Sequence, residues 1–90
     1  MNFNEKIFII TGASSGIGKA LSKELAANGA IIVCTSRNKD KLDIVRDEII
    51  ASGGKSISIQ TDVTDINQCI EMKNKVLKEY GRIDAIVLNA

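Results

Sequence analysis

The residues best suited to chemistry in this 90-residue chain form one stretch, Thr11-Gly12-Ala13-Ser14-Ser15-Gly16-Ile17-Gly18. An apolar run, Ile7-Phe8-Ile9-Ile10, leads straight into it. An amphipathic helical pattern leaves it, with Ile17, Ala20, Leu21 and Leu25 on one face. A strand that ends in glycines and re-enters as a helix aims several backbone N–H groups at one point. Those donors and the positive helix end suit a phosphate. Glycine serves two needs in such a turn, positive φ and room for a ligand to touch the backbone. The bland alternative is an ordinary strand-to-helix turn. Three glycines and two serines so close together weigh against it.

The spacing narrows the kind of phosphate ligand. The glycines stand at 12, 16 and 18. A P-loop needs Gly-x-x-x-x-Gly-Lys-Ser/Thr. Gly18-Lys19 is suggestive, but positions 13 and 20 are both alanine. Without the Ser or Thr there is no hydroxyl for magnesium, which disfavours a nucleoside triphosphatase.

The elements that must position this turn alternate. Strands are expected at Lys6–Thr11, Ala30–Thr35, Ser56–Thr61 and Ile83–Asn89. Helices are expected at Ile17–Asn28, Lys39–Ser52 and Asp65–Tyr80, closed by Gly29, Gly53-Gly54 and Gly81. Asn38 is the expected N-cap of the second helix, whose apolar stripe is Leu42, Val45 and Ile49. The third should turn Ile66, Ile70, Val76, Leu77 and Tyr80 inward. Ile57 and Ile59 alternate with polar residues, which marks their strand as an edge. Strand–helix alternation implies parallel pairing through right-handed crossovers. The expected architecture is therefore α/β, a doubly wound parallel sheet of Rossmann type in the order 3-2-1-4. Its ligand crevice would lie between strands one and four. The glycine turn, the end of strand two, Asp62-Val63 and Asn89-Ala90 would line it.

Composition bounds the alternatives. Ninety residues make one small domain, residues 1–90, burying about 60–70% of its extended surface. Twelve Lys and Arg against eleven Asp and Glu leave a net charge of +1, which argues against nucleic-acid or membrane partners. The three aromatic residues, Phe3, Phe8 and Tyr80, offer no stacking platform for bases. Cys34 and Cys69 read as reduced thiols, and with no histidine a zinc site has little to build on. The first apolar run is too short for a signal peptide or a membrane span, so a cytoplasmic location is expected.

Thr11-Gly-x-x-x-Gly-x-Gly18, with Asp62-Val63 after strand three and Asn89-Ala90 after strand four, resembles the classical short-chain dehydrogenase/reductase family. The resemblance covers the whole chain and implies its cofactor-binding half. It implies that Gly12, Gly16, Ile17 and Gly18 form the pyrophosphate turn, Ile17 partly through its N–H. It puts the Ser14 and Ser15 hydroxyls at the adenosine ribose and its phosphate. Asp62 would accept from the adenine amino group and Val63 would add a backbone contact. Asn89 and Ala90 would start a segment that supports the sheet and lines the cofactor. Asp62 as a plain turn residue, and Asn89 as a partner for neighbouring backbone, remain open.

The end of the second strand bears on NAD against NADP. A fold selective for NAD usually places an acid there to grip the ribose hydroxyls. Here Ser36 takes that place and Arg37 follows. A carboxylate would repel a 2′-phosphate, whereas a guanidinium holds one with charge-assisted hydrogen bonds. NADP(H) is therefore the expected cofactor, with NAD(H) as the alternative. Arg37 is the main determinant and Ser36 a lesser donor. Asp40 reads as favourable charge at a helix start, and Lys39 and Lys41 as solvated surface charges.

The resemblance also implies hydride transfer between nicotinamide and a carbonyl or alcohol substrate, using a Ser and a Tyr-x-x-x-Lys pair. Tyr80 is followed four residues later by Asp84 and reads as core packing, so no catalytic residue is assigned. Three readings stand: the cofactor-binding part of a longer reductase, a stand-alone nucleotide-binding module with a regulatory role, or a half-enzyme completed by another chain. Strand four would form an open apolar edge, so self-association through it is expected.

Overall fold

Ile7-Phe8-Ile9-Ile10 is apolar at every position because it becomes a central strand covered on both faces. The computed structural model describes residues 2–89. Along them run β1 (Ile7–Thr11), α1 (Gly16–Ala27), β2 (Ile31–Ser36), α2 (Lys39–Ala51), β3 (Lys55–Gln60), α3 (Ile66–Tyr80) and β4 (Ala85–Val87). Every pairing is parallel, in the expected order β3-β2-β1-β4. The register sets Thr11 beside Thr35, so β2 runs one residue past the end of β1.

β4 is shorter than the apolar run Ile83–Asn89. Just before β4, the Asp84 N–H donates to the Ile7 carbonyl at 3.0 Å, and its carboxylate takes the Ile7 N–H at 2.7 Å in place of a main-chain carbonyl. At the other end Asn89 leaves the ladder to bond Thr11.

Two cores sandwich the sheet. Under α1 and α2 lie Ile10, Ala13, Leu25, Ala26, Ile32, Cys34, Leu42, Val45 and Ile49. Under α3 lie Ile7, Ile9, Ile31, Val33, Met72 and Val76, with Tyr80 packed against them as expected. The α2 stripe of Leu42, Val45 and Ile49 is buried as the pattern requires.

The other two helices are rotated from their expected faces. α1 buries Gly18, Ser22, Leu25 and Ala26, while Ile17 is 77% exposed and Ala20 is exposed. The reason is close packing. Gly18 sits so near the β1–α1 turn that only a small-residue face fits, and Ser22 satisfies its buried hydroxyl on the Gly18 carbonyl at 2.7 Å. α3 presents Met72, Val76 and Tyr80 to the sheet, whereas Ile66, Ile70 and Leu77 are exposed. These three form a second arc about a quarter turn around the helix. α3 is the one helix on its face among the described residues, so nothing there covers that arc.

β3 is the edge, as its alternation indicates. Its serines nevertheless lie on the α2 side: Ser56 is buried and bonds the Ile32 carbonyl, and Ser58 donates to Asp43 at 2.6 Å. Ile57 and Ile59 pack on the α3 side. A polar strand face is covered here because α2 brings Asp43 and Arg46 to Ser58 and β2 offers the Ile32 carbonyl to Ser56.

Helix ends fix the loops. Asn38 accepts from the Lys41 N–H, and Asp65 accepts from the Asn67 and Gln68 N–H groups. Gly81 closes α3 in the left-handed conformation, φ +78.

Candidate functional site

Parallel crossovers bring four strand ends to the carboxyl side of the sheet, and most of the expected site residues lie there. A cleft of about 430 Å³ is bounded by Gly12 and Ser14, Ser36 and Arg37, Asp62 and Val63, and Asn89. Ser15, Gly16 and Ile17 do not line it; they are exposed at the start of α1, and Ser15 and Gly16 border the neighbouring hollow that shares Ser14. Ala90 lies outside the described residues.

The three glycines have three separate physical reasons. Gly12 has φ +62, and a Cβ there would stand 2.8 Å from the Asn89 carbonyl oxygen. Gly18 has ordinary helical geometry, but its Cβ would stand 2.2 Å from the Gly12 carbonyl oxygen. Gly16 has φ +57, and a Cβ there would meet nothing within 4 Å. Room for a ligand is therefore left at Gly16. At Gly12 and Gly18 the protein itself fills the space.

The start of α1 is open to an anion. Its N-cap, Ser15, makes no side-chain capping bond, and the first turn holds no acid. The Ala13 amide is not part of this donor set, because it is bound to the Thr35 carbonyl at 3.2 Å. The available amides are those of the first helical turn, Gly16, Ile17 and Gly18.

The β2 end carries positive charge. Ser36 Oγ accepts from the Asn38 N–H at 3.2 Å, and the Arg37 carbonyl accepts from Gln60 Nε2 at 3.0 Å. These bonds fix the Arg37 backbone while its exposed guanidinium has no carboxylate partner among the described residues. Lys39 does have one, Asp43 at 2.7 Å. Lys41 is exposed, as expected of a solvated charge, and also lines the neighbouring hollow, of about 300 Å³, with Ser14, Ser15 and Gly16. Ser14 borders both hollows, with Arg37 on one side and Lys41 on the other.

Asp62 is a turn residue and a cleft residue together. One oxygen, Oδ1, accepts from the Thr64 hydroxyl at 2.6 Å and the Thr64 N–H at 2.9 Å. These bonds, with Arg37 nearby, hold its carboxyl below the usual carboxylate range. Asn89 does partner neighbouring backbone, donating from Nδ2 to the Gly12 carbonyl at 3.3 Å.

Residue-by-residue reading of the sequence gives no site role of their own to Thr11, Thr64 and Lys41. Thr11 Oγ1 accepts from the Asn89 N–H at 2.9 Å and ties β1 to β4. A hydroxyl residue immediately before the first glycine was the available signal. Tyr80 lies in the α3-side core rather than the cleft.

The fold and site define a doubly wound domain with a glycine turn and a cleft at the carboxyl end of its sheet. The model of the short chain dehydrogenase family matches residues 6–90, and the chain belongs to that family. It is 42% identical over 90 residues to an uncharacterized oxidoreductase of Listeria monocytogenes, covering 100% of this chain and 36% of that one. A crystal structure of a metagenomic short-chain oxidoreductase in complex with NADP superposes with a TM-score of 0.93 at 37% identity. That likeness covers 97% of this chain and 39% of the other. A putative D-mannonate oxidoreductase from Haemophilus influenza with bound NAD gives 0.90 at 33% identity, covering 94% and 30%. The chain thus spans about a third of the length of the relatives it matches.

Proposed function

We propose that this chain binds a nicotinamide dinucleotide, NADP(H) in preference to NAD(H), as one dinucleotide-binding domain of a longer oxidoreductase. Its substrate would be a small carbonyl or alcohol compound. The observation that carries the reading is the open start of α1 at Gly16, in a hollow that shares Ser14 with the cleft holding unpaired Arg37 and half-buried Asp62. Both NADP and NAD occur in the similar structures, so the preference rests on this chain's own cations.

When bound, the cofactor supplies the hydride chemistry; these residues bind and orient it. The amides of Gly16, Ile17 and Gly18 take the pyrophosphate, on a turn shaped by Gly12. Ser14 and Ser15 serve the adenosine ribose and its phosphate. Arg37, with Ser36 and the nearby Lys41, takes the 2′-phosphate. Asp62 and Val63 face the adenine, and Asn89 holds the Gly12 turn against β4.

Two further parts belong to this reading. Cys34 and Cys69 are both free thiols, which supports a cytoplasmic location. No helix of the described residues is long and apolar enough to cross a membrane. The outer edge of β4 is the expected surface for self-association.

The test is titration of the full chain with NADP(H) and NAD(H), repeated with Arg37→Ala. NADP+ should bind about ten-fold or more tightly than NAD+, and the substitution should remove most of that difference. Equal binding, tighter NAD+ binding, or an unchanged Arg37→Ala protein overturns the preference.

A further inference from the structure

The geometry points to Thr64 as a positioning residue for base recognition, one that turns Asp62 into a fixed, single-oxygen acceptor; this rests on the reading of Asp62 as the adenine-facing carboxylate. Thr64 binds Asp62 Oδ1 twice, by hydroxyl at 2.6 Å and by amide at 2.9 Å. The Asp62 backbone is fixed separately, its N–H donating to Gln68 Oε1 at 2.8 Å. Gln68 is held in turn by Asp65, the N-cap of α3, whose Oδ2 accepts from Gln68 Nε2 at 3.2 Å. The first turn of α3 and the residues leading into it thus lock both the main chain and the side chain of Asp62. The other oxygen, Oδ2, takes no hydrogen bond among the described residues, on a half-buried side chain that lines the cleft.

An ionised carboxylate only accepts hydrogen bonds. The 6-amino group of adenine donates one, whereas the 6-oxo group of hypoxanthine would set lone pairs against lone pairs. A carboxylate free to rotate could turn either oxygen toward the cleft or swing away. Held by the Thr64 hydroxyl, it presents one acceptor in one place. Preorganisation of this kind raises selectivity because the rotor is already ordered before binding.

The experiment compares NADP+ with its hypoxanthine analogue, deamino-NADP+, on the full chain and on Thr64→Val, Thr64→Ser and Asp62→Ala. The parent should prefer the adenine form about ten-fold, the worth of one hydrogen bond to a charged group. Asp62→Ala should abolish the preference. Thr64→Val should cut it about three-fold or more, and Thr64→Ser should restore it. If neither dinucleotide binds the parent, or Asp62→Ala keeps the preference, the underlying reading of the site fails. If Asp62→Ala abolishes the preference and Thr64→Val leaves it intact, Thr64 is not a positioning residue. Equal weakening of both ligands by Thr64→Val, with or without a lower melting temperature, also overturns the positioning role, because a purely structural residue would act that way.

Discussion

Thr11 and Asn89 are bonded across the ends of β1 and β4, the Asn89 N–H donating to Thr11 Oγ1 at 2.9 Å. The Thr11 hydroxyl lies 3.3 Å from the Val87 carbonyl and 3.4 Å from that of Asn89. The same Asn89 reaches back to the Gly12 carbonyl. Thr11→Val keeps the shape and removes the hydroxyl, leaving a part-buried amide without its partner. We expect a loss of about 1–3 kcal/mol in stability. Denaturant melts measure it, and cofactor affinity should fall with it because the glycine turn loses its anchor to β4.

Gly16 and Gly18 should respond differently to alanine. At Gly18 the new methyl would stand 2.2 Å from the Gly12 carbonyl oxygen, so the helix must lift off the turn. The expected cost is about 3 kcal/mol or more, read as a large drop in melting temperature. At Gly16 the methyl enters open space, and the cost is about 1–2 kcal/mol for the left-handed backbone. Gly16→Ala should therefore melt closer to the parent yet lose dinucleotide affinity, since that open space is where the ligand would lie.

Stability should fall in acid. Asp84 is held below the usual carboxylate range first by the Ile7 N–H, then by Arg82. Asp43 and Glu48 are lowered chiefly by hydrogen bonds from Lys39 and Lys23 respectively. A folded-state value below the unfolded one gives stability that is present above the unfolded value, about pH 4, and is lost as pH falls through the folded value. Denaturant melts between pH 7 and pH 2 should show this descent. Asp84→Asn should flatten part of it, while an unchanged pH profile would remove Asp84 as a cause.

The exposed apolar surface near β4 predicts concentration-dependent association. Ile86 is 53% and Leu88 81% exposed, and the exposed Ile70 of α3 lies beside them. Sedimentation over a wide concentration range should reveal dimers or larger species, and Leu88→Lys should shift them toward monomer. A parent that stays monomeric at high concentration would refute this.

How much of this was legible beforehand differs by residue. Strand order, the α2 stripe and the Asn38 cap follow from periodicity and composition, and all appear as expected. The faces of α1 and α3 do not, because hydrophobicity alone cannot tell which arc of a helix meets the sheet. Gly18 decides it for α1 by steric contact with a carbonyl far back in the turn, which no periodic pattern records. Ser58 looks solvent-facing until Asp43 and Arg46 arrive from α2, and Ser56 until the Ile32 carbonyl of β2 takes its hydroxyl. The cleft was legible as a set of strand ends, whereas the division of labour among its glycines and the Thr64 hold on Asp62 required coordinates.

The two rims of the sheet carry different bonds. At the amino rim, Arg82 donates to the Glu5 carbonyl, Asp84 accepts from Ile7, and Lys55 pairs with Glu5. None of these touches the cleft. Mutagenesis libraries aimed at one rim should therefore explore durability, and at the other selectivity, with little trade between them. An engineer could harden the floor of this molecule while leaving its mouth free to learn a new ligand.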